Sequence, residues 1–400
     1  MARQMVEDKE YPYIENTKAD VRLLGCDVLL SPLMDKTSSQ RNMMLSHHAP
    51  QAQGIHGAEQ PRLMSGFESM IGQYEYNTTK RENGIQVLEP IPRFILNSGM
   101  YPLKKNPFYT IVYRDDKTGQ VGYFNLEKYT MRSNGYGYEN KWMNTQQLNK
   151  GNYIPPDLKL CTSPSHFGNM YMMGTNLRTA YMSLPQVTED AFVISESAAK
   201  KLGTTSIGRL SFKILPNQIP KNLYGDDDEY KFMPDIGETV HEDGVFCAVC
   251  TPTQDSFIAD MSKSNLCRVQ HLHDTVFYLP PGAEIIDVDI FVNRKCKIKT
   301  PPEMFTQVKK YRDQINRYNI TIWQAYQNAI KEGWEITPAF NTLVTRAIGN
   351  LLADNIRIPG YSKRADVSWV KRKEAIEFLY ITVTYKKTTP VSLGWKCSNR

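Results

Sequence analysis

At 400 residues, the chain is long enough for about two or three domains with a sizeable core. Its 41% hydrophobic fraction and mean hydropathy of -0.47 indicate a folded, soluble protein. No apolar run approaches the roughly 18 residues that a membrane helix needs, and the first twenty residues are too polar for a signal peptide, so the default compartment is intracellular.

The net charge of +6 is compatible with polyanion binding without requiring it, and seven scattered cysteines suit reduced thiols better than a disulfide framework. Residues 1–20 are polar and read as a tail. The first core element is "VRLLGCDVLLSPLM", followed by the polar stretch "SSQRNMMLSHHAPQAQG". Between 101 and 153 many tyrosines sit beside Lys, Arg or Asn, a mixture suited to a wet protein interface ahead of base stacking. "PFYTIVYRDDKTGQVGYFNL" reads as a hairpin turning at Asp116–Gly119. "DAFVISESAAKKLG" passes from a strand into a short helix that Gly203 ends.

Beyond about residue 205 short strands dominate. "DIGETVHEDGVFCAV" reads as a tight pair of strands, with Gly237 and the Asp243–Gly244 turn permitting positive φ, and "AEIIDVDIFVN" as another strand. Pro301 and Pro302 open a helical region in which Phe305, Val308, Tyr311, Ile315, Tyr318 and Ile330 recur near helical spacing, as one helix or as two meeting near Asn319. "FNTLVTRAIGNLLADN" is a second amphipathic helix, and "AIEFLYITVTYKK" a last strand. The mix is α+β, and the first and last strands have no obvious closing partner within the chain.

Three stretches carry chemistry. Arg41, Asn42, His47, His48 and Gln51 share one polar segment able to hold phosphate oxygens, or else form a solvated helix face. Glu189 and Asp190 are adjacent carboxylates that either orient a hydrated divalent cation or make a surface turn. Lys396 and Arg400 lie on a loop opened by Gly394, suited to a triphosphate or its leaving pyrophosphate, or merely a basic terminus. Cys247 and Cys250, with Cys267 and His271, make a weak zinc pattern because "VFCAVC" alternates like a buried strand. "YGDDDEY" reads as an acidic surface loop.

In their order these stretches resemble the β subunit of multisubunit DNA-directed RNA polymerases. Asp35, Arg41, Asn42 and Gln51 fall on one family block, with Pro61, Gly66 and Glu68 on its P-x-x-x-x-G-x-E element. Gly174, Asn176, Ala180 and Met182 match G-x-N-x-x-x-A-x-M, and Glu189, Asp190, Ser195 and Glu196 match the following E-D-A/S-x-x-x-S-E. Residues 394–400, GWKCSNR, resemble G-D-K-x-x-x-R, which in the family runs into H-G-x-K-G. Trp395 stands where the family has Asp, Pro50 where a basic residue precedes the Gln, and Thr188 where an aromatic precedes the Glu.

The resemblance implies a split β subunit of the giant-bacteriophage type, located in the host cytoplasm or in a virion. It implies a partial double-psi β-barrel completed by partner chains and built from residues 21–204, with an insertion at about 76–164, and from a return strand and loop at 376–400. A flap- or wall-like domain, residues 205–375, would be inserted between them, with its helical region at 302–355. It further implies two-Mg²⁺ nucleotidyl transfer in which Arg41 and Asn42 meet the nucleotide's phosphates and Gln51 lines the RNA path. Glu189 and Asp190 would approach the second Mg²⁺ through water, and Lys396 would contact the RNA 3′ region or its reacting phosphate, with Arg400 nearby. Asp35, Gly66, Glu68, Gly174, Asn176, Ser195, Glu196 and Gly394 would shape the motifs. The implied partners are the remaining β fragments, β′-like chains that supply the first Mg²⁺, DNA template, RNA transcript and nucleoside triphosphates, and a promoter-specificity subunit. The alternatives are a noncatalytic protein that keeps a polymerase-derived scaffold and, more remotely, a zinc-dependent binding module.

Overall fold

The computed structural model describes residues 25–52, 54–55, 57–74, 79–94, 107–133, 136–185, 191–226, 228–252, 262–293, 302–361 and 378–393. Its main helices are α1 (Ser39–His48), α2 (Glu68–Tyr74), α3 (Glu196–Lys201), α4 (Thr306–Lys331) and α5 (Pro338–Ala353). The tail, residues 21–24 of the first core element, Glu189, Asp190, Gly394, Lys396 and Arg400 lie outside the described residues.

Strands β1 (Ile85–Pro92), β2 (Phe108–Asp115) and β3 (Val121–Glu127) form an antiparallel sheet, joined at the β1 edge by Tyr153–Ile154. The β2–β3 hairpin pairs Phe108 with Glu127 through Arg114 with Val121, as the turn residues predict. Asp115 closes that turn, its Oδ1 accepting from the Lys117 and Thr118 amides at 3.0 and 2.9 Å. Because strand side chains alternate, both faces of this sheet are used. Ile85, Val87, Ile111 and Leu126 pack on Leu148, Ile154 and Leu160, while Ile91, Val112 and Val121 pack on the helices.

A second sheet follows, of β4 (Tyr129–Ser133), β5 (Tyr136–Glu139), β6 (Thr204–Ile214), β9 (Glu284–Val292) and β10 (Leu379–Thr389), in the order β9-β10-β6-β5-β4. The intervening β7 (Val245–Cys250) and β8 (Asp274–Tyr278) pair in a separate small sheet, which the short Ile219–Pro220 strand joins at the β7 edge. Strand β10 runs antiparallel to β6 from Thr389↔Thr204 to Leu379↔Ile214, and to β9 from Lys386↔Glu284 to Leu379↔Val292. The last strand therefore lies inside a sheet, with partners on both sides from within the chain, contrary to the sequence expectation. Its alternating Leu379, Ile381 and Val383 join Phe212, Phe246, Ile285 and Val288 in a buried core.

The mixture is α+β, and several local expectations change. The pair of strands expected in "DIGETVHEDGVFCAV" is one strand, β7, preceded by turns at Gly237 and Gly244 with φ of 91° and 74°. Of its first half only Thr239 makes a bridge, to Glu284. Residues 191–195 form no strand before α3. From Cys26 onward the first element gives only a helical turn, Cys26–Leu29, and a 3-10 turn, Met34–Lys36. The long helical region is one helix, Thr306–Lys331, with no break at Asn319, whose side-chain amide donates to the Ile315 carbonyl at 3.0 Å. The tyrosines of the early sheet are partly core residues: Tyr109 packs edge-on to Trp142, and Tyr113 lies under the Arg81 guanidinium.

Helix α4 is shared between cores. Val308 and Tyr311 belong to the core of the five-stranded sheet, whereas Ile322 and Ala329 belong to the core formed by β1–β3 with α5. Near this changeover the Arg93 guanidinium pairs with Asp287 of β9 at 3.1 Å.

Candidate functional site

The first block sits on α1, a helix with no buried residue. Arg41 is exposed, and among the described residues its guanidinium has no carboxylate partner; its Nη1 lies 3.9 Å from the Met44 thioether. Asn42 turns inward instead and donates to the Met34 carbonyl at 2.7 Å, fixing the turn that carries Asp35. Asp35 itself pairs with Lys36 at 3.5 Å. Gln51 donates to the His47 carbonyl at 2.8 Å, satisfying one of the carbonyls that a helix end leaves over. His47 bonds the Met43 carbonyl through Nδ1 at 2.8 Å.

Downstream, the P-x-x-x-x-G-x-E element has a structural explanation. Glu68 is buried at the start of α2, and its carboxylate accepts from the Ser65 and Gly66 amides, each at 2.8 Å. Gly66 has φ of 89°, a left-handed value that a side chain would strain. The glycine thus makes the turn and the glutamate holds it.

The second block meets the first at Glu59. The Glu59 amide donates to the Gly174 carbonyl at 3.0 Å, and its carboxylate Oε2 accepts from the Asn176 amide at 3.0 Å. The Asn176 side chain donates to the Gln60 carbonyl at 2.9 Å. Lys201, in the last turn of α3, places its ammonium 2.5 Å from Glu59 Oε1. Hydrogen bonds from Lys201 and the Asn176 backbone hold the Glu59 carboxyl at about 2, well below the usual carboxylate value. Neither Glu59 nor Lys201 stands out in sequence, because an acid in a polar loop and a lysine at a helix end are ordinary.

Ser195 caps α3 by accepting from the Ala198 amide at 3.2 Å. Glu196 is exposed in the first turn and pairs with Lys200 at 2.9 Å. The chain just past β10 also reaches this helix, the Val391 amide donating to the Ala199 carbonyl at 3.1 Å. Residues 176–183, between these anchors, are exposed throughout, with Tyr181 and Met182 at 98% and 66%, and Phe192 and Val193 are exposed as well. Among the described residues, the structure therefore brings Glu59, which lies between Gln51 and Pro61, the start of the second block at 174–176, and Val391 together around α3; Glu189, Asp190, Lys396 and Arg400 lie outside the described residues.

Among the described residues, no three His, Cys, Asp or Glu side chains are grouped to hold a metal. Cys247 and Cys250 lie on the fully buried β7, where residues three apart face opposite sides, and burial pushes the Cys247 thiol up. "YGDDDEY" is stitched by Asp226, whose Oδ1 accepts from the Asp228 and Glu229 amides at 3.0 and 2.7 Å. No helix among the described residues is long and apolar enough to cross a membrane.

The chain matches no protein-family model. It is similar to the DNA-directed RNA polymerase subunit beta of Anaplasma phagocytophilum strain HZ, with 22% identity over 316 residues, covering 72% of this chain and 21% of that subunit. A second DNA-directed RNA polymerase subunit beta, from Anaplasma phagocytophilum, is 23% identical over 320 residues. The chain spans about a fifth of the length of these curated relatives.

Proposed function

We propose that this chain is a β-subunit segment of a DNA-dependent RNA polymerase, taking part in template-directed RNA synthesis only within a multisubunit complex. The observation that carries this reading is that Glu59, between two first-block motifs, bonds the start of the second block at Gly174 and Asn176 and pairs with α3, within a chain similar to β subunits over 72% of its length. In the same reading the subunit is split, of the giant-bacteriophage type, and residues 21–204 and 376–400 belong to a double-psi barrel that partner chains complete. Residues 205–375 are the inserted wall, and the β6–β10–β9 pairing is the seam where insertion and return strand join.

The reaction is attack of the RNA 3′-OH on the α-phosphate of a nucleoside triphosphate, and bound Mg²⁺ supplies charge stabilisation at the attacking and leaving oxygens. This chain's share is electrostatic positioning. Arg41, exposed on α1, offers a fork of donors to phosphate oxygens, and Lys396 and Arg400 meet the reacting phosphates. Asn42 and Gln51 serve the same surface by fixing both ends of α1. Glu189 and Asp190 would reach the second Mg²⁺ through water, and a β′-like partner would supply the first. The complex further comprises the other β fragments, template DNA, the transcript and a promoter-specificity subunit.

The test is RNA synthesis by the assembly purified through the tagged chain, with Arg41→Ala, Asp190→Ala and Lys396→Ala made singly. Each should lower elongation by roughly 10²-fold or more, the usual cost of deleting one preorganised electrostatic contact. Undiminished elongation in all three would leave a noncatalytic scaffold as the better reading.

A further inference from the structure

We propose that Glu59 is a positioning residue of this site: its carboxylate, shared by Lys201 and Asn176, sets the segment bearing Arg41 and Gln51 against the arm leading to Glu189 and Asp190 and against α3. The catalytic half of this inference rests on the polymerase reading; the structural half does not. Three segments distant in sequence meet at one side chain. Oε1 faces the Lys201 ammonium at 2.5 Å, Oε2 takes the Asn176 backbone amide at 3.0 Å and its side-chain amide at 3.4 Å. The Glu59 backbone adds its own bond to Gly174, where φ of 78° turns the chain into the arm.

A lone pair of half-exposed charges would carry little weight, and the Glu59 and Lys201 side chains are each 38% exposed. Here the same carboxylate also satisfies a backbone donor, so removing it unties the arm as well as the helix. Helix α3 is in turn bonded to Val391, which shortly precedes the segment that holds Lys396. A shift at Glu59 would therefore pass to the segments that lead to the groups assigned to the triphosphate. The carboxyl stays ionised throughout the neutral range, so the contact is a fixed strut and not a pH switch.

The experiment compares Glu59→Gln with the charge-exchanged double variant E59K/K201E in the purified assembly. Three readouts are taken: hydrogen exchange of peptides spanning 174–183, melting temperature, and kcat/KM for nucleotide. Glu59→Gln should speed exchange in that peptide and lower kcat/KM by about 10-fold or more, as small misplacements of catalytic groups do, with little change in melting temperature. The charge-exchanged variant should recover part of the kcat/KM loss through its restored ion pair while exchange in that peptide stays fast, because a lysine at 59 cannot accept from the Asn176 amide. Unchanged exchange and unchanged kcat/KM would overturn the proposal, and so would a lower melting temperature with kcat/KM intact. An assembly that makes no RNA even with Glu59 present removes the polymerase reading and the positioning role with it, while the exchange readout still decides whether the strut exists.

Discussion

Asp235 illustrates how a single carboxylate is committed to the fold. Burial alone would raise its pKa, but hydrogen bonds from Tyr311 at 2.6 Å, Gln307 at 2.9 Å and Lys310 at 3.0 Å outweigh it and hold the group at about 2. All three donors come from α4, and the Ile236 amide donates back to the Tyr311 hydroxyl at 3.0 Å, so this cluster clamps the loop before β7 onto the helix. A depressed folded-state pKa means stability that is present above the unfolded value near 4 and lost as pH falls through about 2. With the side chain 15% exposed, the shift corresponds to about 2 kcal/mol. Asp235→Asn should therefore lower the unfolding free energy by about that amount at pH 7, and the gap should narrow as acid is added. Denaturant titrations at several pH values check this; a gap independent of pH would show that the ionised form gives no advantage.

At the scale of elements, the seat of α2 is set by a residue without a side chain. A Cβ on Gly72 would lie 2.4 Å from the Asn169 carbonyl oxygen and 2.8 Å from the Tyr171 amide, both backbone atoms of the small hairpin beneath the helix. Alanine is the better helix former, so helix propensity alone favours Gly72→Ala. The clash should win, with a loss of about 1–3 kcal/mol in a denaturant titration, and a stabilised variant would mean the helix can simply lift. The same contrast explains which elements were legible in sequence. The β2–β3 hairpin, the capped α3 and the amphipathic α5 follow from neighbours within a few residues: Asp115 with Gly119, Ser195 with Ala198, Thr337 with Phe340. Strand β10 looked partnerless because its partners β6 and β9 are distant in sequence, and nothing in "LYITVTYKKTT" names them. The candidate site divides in the same way. Its motif residues were visible, but the carboxylate that joins them was not, since Glu59 acquires meaning only when residues 174–176 and 201 arrive. The resemblance also gave equal standing to Arg41, Asn42 and Gln51, which the structure separates into one exposed cation and two residues that finish the ends of its helix.

At the scale of the molecule, α4 decides whether the two halves behave as one. Its first turns are buried with β6, β9 and β10, its later turns with β1–β3 and α5, and the Arg93–Asp287 pair bridges the halves nearby. A continuous helix transmits strain along its length because each turn is bonded to the next. Arg317 lies near the changeover and is exposed, so its side chain can be altered without opening either core. Arg317→Pro removes one intrahelical hydrogen bond and clashes with the preceding turn, a cost of about 3 kcal/mol or more that falls on the link between the cores. The cores themselves keep their contacts: Phe340 with Tyr326 on one side, Phe212 with Phe246 on the other. Calorimetry should therefore resolve two transitions in Arg317→Pro where Arg317→Ala, within about 0.5 kcal/mol of the parent, shows one. A single transition in the proline variant, merely shifted to lower temperature, would mean that the ion pair and the flanking strands couple the halves without the helix. Two transitions would make α4 the member through which a load on the β1–β3 sheet reaches β10 and the loop beyond it.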